Sequence, residues 1–303
     1  MNNKIIVRIA EGLGNQLFMY ANGYALAKKI NYELLIDNES GYFKKKNIRS
    51  YQLNNFQLET KICDNKFKFN SSLKNLKRKI LIKLDLFKSK KKFIIEKKDQ
   101  NKKSQFEDLD FSKFSNFFFL EGHFESEKYF IECREELKNK IKLKNETYYQ
   151  NNQYVNLIKN NPDIVSICIR QHRFSERISN KFKHSAIAKS NNFTKKTIDY
   201  VYRAIDLIEN KYKNMQYLVW SNDFINLRNY FPSNKFIFVE LTENKILTDF
   251  YLLLHCKNFI VGPTTFHWWP AWLNQTSKSL IFRPKDIIVS NNKHFWPDNW
   301  IPV

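Results

Sequence analysis

Thr264 and Thr265 follow Gly262-Pro263, a turn signal, and precede Phe266-His267-Trp268-Trp269, so they stand where the N-cap of a helix belongs. The run Phe259-Ile260-Val261 just before them is short, β-branched and aromatic, the pattern of a buried strand. Hydroxyls and backbone N–H groups gathered at a helix start suit an anion, a phosphate above all. The first amides of a helix lack internal partners, and the macrodipole places partial positive charge there. An ordinary strand-to-helix turn with a threonine cap is the other reading. Paired tryptophans beside a cap are unusual for simple packing, and Pro270 soon after them removes a helix-interior bond. On these residues alone both readings stand.

Further polar groups fall at strand ends. Arg170 follows the strand Ile164 to Ile169, and Ser221-Asn222-Asp223 follows the strand Tyr217 to Trp220. A guanidinium can grip two phosphate oxygens at once. Asp223 also reads as the N-cap of the helix after it. Gly12-Leu13-Gly14-Asn15-Gln16 follows the opening strand Lys4 to Ile9, and its two glycines let the backbone approach a ligand while Asn15 and Gln16 present amides at a helix start. Leu17, three residues after Gly14, breaks the G-x-G-x-x-G dinucleotide fingerprint. Asp108-Leu109-Asp110 is the one tempting metal pair, but no strand precedes it and it reads as a solvated loop, so no metal is expected. For a general base the candidates are Glu11, at the mouth of the glycine loop, and Glu125. His172 and His267 read equally well as packed rings, and Trp268, Trp269 and Trp272 as core.

The elements that must position these residues alternate. Beyond Pro162, strands and helical patterns take turns to the end of the chain, which argues for a parallel sheet with helices on both faces and ligands at the carboxyl ends of its strands. The start is strand, glycine turn, helix and a second strand at Glu33 to Ile36. A chain of 303 residues with 43% apolar content can bury two cores. The division expected is a first domain over 1–158, with a basic insertion about 40–116 in which strands cannot be traced, and a second over 159–303. No run approaches a membrane span and the first residues turn at once into a strand, so a cytoplasmic protein is expected. Cys63, Cys133, Cys168 and Cys256 have neither disulfide-framework density nor metal-ligand spacing, and reduced thiols fit that compartment.

A formal charge of +21 attracts polyanions, yet Lys, Asn, Ile and Phe are enriched throughout, which is a general bias and not one selected patch. The segment Lys74 to Lys103 is denser. There Leu73, Leu76, Ile80, Leu84 and Phe87 share one side of a basic helix, which suits either contact with acidic lipid at the inner face of a membrane or a solvated face. No nucleic-acid-binding motif accompanies the charge, and a nucleic-acid partner is not expected.

Taken in order, several blocks resemble the bacterial α1,2-fucosyltransferases, family 11 of the glycosyltransferases. They are Gly12-Leu13-Gly14-Asn15-Gln16-Leu17-Phe18 with Tyr20-Ala21, Glu125-Ser126-Glu127-Lys128-Tyr129-Phe130, Trp220-Ser221-Asn222-Asp223, and Cys256-Lys257-Asn258-Phe259-Ile260 leading to Thr264-Thr265-Phe266-His267-Trp268-Trp269-Pro270-Ala271-Trp272-Leu273-Asn274. One block departs. Where the family shows H-x-R-R-G-D, this chain has Cys168-Ile169-Arg170-Gln171-His172-Arg173, and only the first arginine survives.

The resemblance implies an α/β, GT-B-like fold of two Rossmann-like domains facing a cleft. It implies inverting, metal-independent transfer of L-fucose from GDP-fucose to a galactose 2-hydroxyl of a bacterial surface glycan. Arg170 would grip the diphosphate and Asp223 the guanine edge, and the donor-binding set becomes Gly12, Gly14, Asn15, Gln16, Arg170, Ser221, Asn222, Asp223, Thr264, Thr265 and Phe266. The departure leaves two alternatives open: a site completed by His172 and Arg173, or a different nucleotide sugar.

Overall fold

Ile5, Ile6 and Val7 lie fully shielded in the first strand, β1 (Lys4–Arg8), of a computed structural model that describes residues 3–44, 48–176, 183–240 and 245–303. The strand runs into α1 (Leu13–Ile30), which is buried along most of its length. A Cβ added at Gly23 would come within 2.3 Å of Val7 Cγ2, so this contact of helix on sheet depends on glycine. Asn31, at φ 54°, ends the helix in the left-handed conformation, its N–H turned back to the carbonyls of Ala27 and Lys28.

The first unit comprises residues 1–144 with 290–297. It continues through β2 (Glu33–Asp37), α2 (Ser72–Asp85), β3 (Lys91–Ile95), β4 (Phe114–Glu121) and α3 (Arg134–Lys140). Its sheet runs β2-β1-β4-β3, parallel throughout. Side chains alternate across it. Ile6, Leu35 and Phe119 pack with Phe69, Phe93 and Leu81 of α2 on one face, while Val7 and Leu34 meet α1 on the other. The strand β3 sits inside the stretch where the sequence reads as untraceable, because its lysines mask a strand that begins a turn after the helix. Asp85 is the reason for the turn: its Oδ2 accepts the amides of Lys92 and Phe93 at 2.8 and 2.9 Å and folds the chain back. Residues 290–297 return to this unit, with Ser104 N donating to Asn291 O at 3.0 Å and Lys293 N to Ser104 O at 2.9 Å.

The second unit comprises 145–289 with 298–303. It holds α4 (Glu146–Gln150), α5 (Gln153–Asn160), β5 (Val165–Ile169), α6 (Lys183–Glu209), β6 (Tyr217–Ser221), α7 (Leu227–Tyr230), β7 (Phe236–Phe238), α8 (Lys245–Leu253), β8 (Asn258–Ile260), α9 (Thr265–Asn274), β9 (Ile281–Arg283) and β10 (Ile301–Pro302). The sequence places the change of unit after residue 158; in the structure α4 already belongs with the second unit, its Tyr149 stacked on Tyr251 of α8 at 5.4 Å.

This sheet is parallel, in the order β10-β9-β8-β5-β6-β7. Val165, Ile167 and Ile260 share a core with Val201, Ala204 and Ile205 of α6. The alternate residues Ser166 and Phe259 meet His267 of α9. The expected sheet with helices on both faces is therefore what forms. From β5 the chain steps outward to β6 and β7, then returns to build β8 and β9 on the other side of β5. The reversal of strand order falls between β5 and β8, and sheets of this kind take their ligands at the carboxyl ends of the strands at such a point.

Candidate active site

Arg170 is the first residue beyond β5, and Thr264 caps α9 a few residues beyond β8. β5 and β8 pair in parallel with Ile167 opposite Ile260. Three residues further along each chain come Arg170 and Pro263, at the ends of neighbouring strands. Gly262 closes the gap: a Cβ there would lie 2.1 Å from the carbonyl oxygen of Cys168, so only glycine fits. Arg173 then crosses between the two loops. Its Nη1 donates to Pro263 O at 2.7 Å and its Nη2 to Val289 O at 3.1 Å, with the guanidinium over the Phe193 ring.

The start of α9 is a true cap. Thr264 is extended, at φ −142°, and its Oγ1 accepts the His267 amide at 3.1 Å. His267 holds the turn from inside. Its Nδ1 accepts the Gly262 amide at 2.8 Å, so Nε2 carries the proton and donates to Ser166 Oγ, also at 2.8 Å. Burial pushes this imidazole down to about 3, and it stays neutral. Behind it Trp268, Trp269 and Trp272 are fully buried together, Trp268 stacked on Trp272 at 5.6 Å. These rings are core, and Phe266 packs against Phe250 of α8. The α9 start thus rests on a stiff support.

Arg170 stays half-buried, its guanidinium paired with Glu176. The loops after β5 and β6 are zipped together. Asn222 Oδ1 accepts the Gln171 amide at 2.8 Å, and its Nδ2 donates to Gln171 O at 3.1 Å. His172, at φ 56°, reaches Asp223 Oδ2 with Nε2 at 2.8 Å, while Asp223 Oδ1 accepts the Ile225 amide at 2.8 Å. The Ile225 amide and then His172 hold this carboxyl below the usual aspartate range, so it is ionised at neutral pH. Ser221 Oγ turns inward to the carbonyl of Asp223.

Beneath these loops lies a charged pair. Asp249 of α8 is buried, its Oδ2 3.2 Å from Lys245 Nζ, and its Oδ1 has no hydrogen-bond partner among the described residues. Burial raises its carboxyl to about 6. The thiol of Cys168 is pushed up to about 12 by burial, with the Asp249 carboxylate adding to the rise. It is therefore neutral and no base.

The glycine segment of the first unit is the start of α1. Gly12 is the N-cap, Gly14 is buried in the first turn of α1, and Glu11, at φ 63°, supplies the left-handed bend. Gln16 is fully buried. Its Nε2 donates to the carbonyls of Glu11 and Ser50, both at 2.9 Å, and its Oε1 accepts the Gln52 amide at 2.8 Å. Asn15 lies half-buried on the same turn. Glu11 also lines a pocket of about 330 Å³ at the carboxyl ends of β1 and β4, with Arg8, Ser40, Lys44, Lys79 and His123 around it. Glu125 is buried and accepts the Ser290 hydroxyl. Asp108 and Asp110 lie on an exposed loop, Asp110 capping a short turn through Ser112, and no cluster of potential metal ligands occurs among the described residues.

The model of glycosyl transferase family 11 matches residues 4–301. The chain belongs to that family. It is 26% identical to the O-antigen biosynthesis glycosyltransferase WbnK of Escherichia coli, across 97% of this chain and 98% of that one. It is 23% identical to an Escherichia coli α-1,2-colitosyltransferase, across 99% and 98%. Among solved structures, the fucosyltransferase NodZ from Bradyrhizobium aligns over 89% of this chain and 92% of its own, with 13% identity and a TM-score of 0.49.

In this family-11 glycosyltransferase, several residues near the strand ends carry little sequence signal. Asp249 could have been found: it is the one carboxylate in an apolar helical run, four residues after Lys245. The clamping role of Arg173 could not, since its partners Pro263 and Val289 are remote in sequence. Arg8, Lys44, Lys79 and His123 come from four separate segments, and only the sheet order of the first unit gathers them.

Proposed function

We propose that this enzyme transfers L-fucose from GDP-fucose to a galactose 2-hydroxyl of a bacterial surface glycan, with inversion and without a metal, on the cytoplasmic side. One observation carries the reading: Arg170 and the capped start of α9 stand on neighbouring strand ends at the reversal point of the second sheet. Departure of the diphosphate builds negative charge on its β-phosphate while the sugar becomes oxocarbenium-like. Arg170 meets that charge bidentately, and the α9 start adds its dipole. The diphosphate displaces Glu176 from Arg170. Each oxygen of Asp223 keeps a lone pair after its bond to His172 or Ile225, enough to accept the two N–H groups on the guanine edge. Gln171 and Asn222, bonded to each other, hold that wall in place. In the first unit, Glu11 is the proposed base, since it borders a pocket and Glu125 is spent on Ser290.

A second reading, a related donor sugar on the same diphosphate, is favoured by the departure at Cys168 to Arg173 and by the colitosyltransferase among the relatives. Calorimetry with GDP and UDP, followed by product analysis on a galactoside with GDP-fucose, separates the two. Saturable GDP binding that vanishes in Arg170→Ala, with a new α1,2 linkage, is expected. GDP binding without fucose transfer selects the second reading, and tight UDP binding without GDP binding overturns both.

A further inference from the structure

Leu73, Leu76, Ile80 and Leu84 lie along one side of α2, within an arc of about 80° at 100° per residue, and Phe87 continues the line one turn beyond the helix. All five are exposed, from 51% for Ile80 to 89% for Phe87. The side of α2 turned to its own unit is polar instead. Arg78 Nε donates to Glu121 Oε1 of β4 at 2.7 Å, Asp85 caps the amides leading into β3, and Asn75 lines the wall of the first unit's pocket. Only Leu81 of the helix joins the adjoining apolar cluster. An amphipathic helix on a sheet ordinarily buries its apolar stripe and shows charge to water. Here the order is reversed.

What covers such a face is set by its borders. Lys77 flanks the stripe on one side and Lys83 on the other, with Lys74 and Lys79 further round, all exposed. Asp85 is the single carboxylate between Lys66 and Ile95, and it points inward. A second copy of the chain would bring these lysines against their like. A nucleic acid would find leucines where bases or phosphates need polar groups.

We propose that α2 docks the enzyme on an anionic phospholipid bilayer, with Leu73, Leu76, Ile80, Leu84 and Phe87 entering the acyl boundary and the flanking lysines meeting the headgroups. The inference does not depend on the donor. Since Lys79 and Asn75 line the pocket, the same helix sets that pocket's height above the membrane.

Vesicle co-sedimentation tests it, with phosphatidylcholine alone and with a third of the lipid as phosphatidylglycerol. The parent is compared with L76N/I80N/F87S and with K77Q/K83Q. The parent binds the anionic vesicles, and each variant binds about tenfold more weakly or worse while keeping the parent's circular dichroism and GDP affinity. Parent binding to the anionic vesicles that the variants share, or no binding at low salt, overturns the proposal. So does a dimer without lipid that L76N/I80N/F87S abolishes, which would give the face to a second copy.

Discussion

The Nε2 of His172 lies 2.8 Å from Oδ2 of Asp223, joining the loop after β5 to the loop after β6. The contact joins a histidine of the segment that departs from the family pattern to an aspartate of a block that keeps it. If it orients Asp223 toward guanine, Asp223→Ala weakens GDP binding about tenfold to a hundredfold, the worth of a hydrogen bond to a charged group. His172→Ala loses only the orientation, about three- to tenfold. The double variant then matches Asp223→Ala alone, because the two act as one unit. Inorganic pyrophosphate binding stays unchanged in all three. Calorimetry that finds additive losses, or equal losses for GDP and pyrophosphate, removes the guanine role.

In the proposed reaction Glu176 and the diphosphate compete for the guanidinium of Arg170, which pairs with Glu176 in the structure. Arg170→Ala is expected to lower kcat by about a hundred- to a thousandfold, the range for losing one preorganised donor to a developing oxyanion. Arg170→Lys recovers part of the charge but not the fork, and remains closer to alanine than to the parent. Glu176→Gln removes the competitor and tightens GDP about two- to fivefold. Weaker GDP binding in Glu176→Gln would mean that Glu176 holds Arg170 in its working position and is not displaced from it.

The second unit was largely readable from its residues, and the first was not. Strands such as Val165–Ile169 and Tyr217–Ser221 are almost wholly buried in a parallel sheet, so they stand out as mostly apolar runs between helical patterns. The cap at Thr264 announced itself through Gly262-Pro263 and the helix after it. β3 failed because its first two residues are lysines and it follows a basic helix without a glycine or proline to mark the turn; the marker is the side chain of Asp85. Gln16 misled in the opposite direction. At a helix start its amide reads as available to a ligand, whereas it is fully buried and ties the segment down from within, and the left-handed position belongs to Glu11 and not to a glycine. Contacts such as Arg173 to Pro263 need the fold before they can be seen at all.

His267 ties three elements through one neutral ring. Replacing it with alanine strands the Gly262 amide and the Ser166 hydroxyl in a dry core and opens a cavity, a loss of about 3–5 kcal/mol at pH 7 by chemical denaturation. The ring also sets an acid limit. Its pKa is about 3 when folded, against 6.5 for an ordinary histidine, so the unfolded chain binds the extra proton. Its stabilising share is whole above pH 6.5 and drains away as the pH falls toward 3. His267→Gln, which lacks the titration, loses less stability than the parent between pH 6.5 and 4. A parallel decline in the two proteins would mean that the ring is not neutral in the fold.

Asp249 works in the opposite sense. Its carboxyl is raised from 3.8 to about 6, so in that window the folded chain holds a proton that the unfolded chain has released. Stability therefore falls as pH rises from about 4 to 6, by about 3 kcal/mol for this group taken alone. The parent accepts that loss in order to keep a carboxylate beside Lys245 and beneath the Cys168 end of β5. Asp249→Asn keeps the shape without the charge, and an amide oxygen in place of Oδ2 still faces the buried ammonium of Lys245. Melting temperatures of variant and parent should coincide near pH 4 and separate in favour of the variant by pH 7.5. If Asp249 serves the site, the stabilised variant is also slower in transfer at pH 7.5. A variant that gains no stability with rising pH would show that Lys245 already neutralises the buried carboxylate in full.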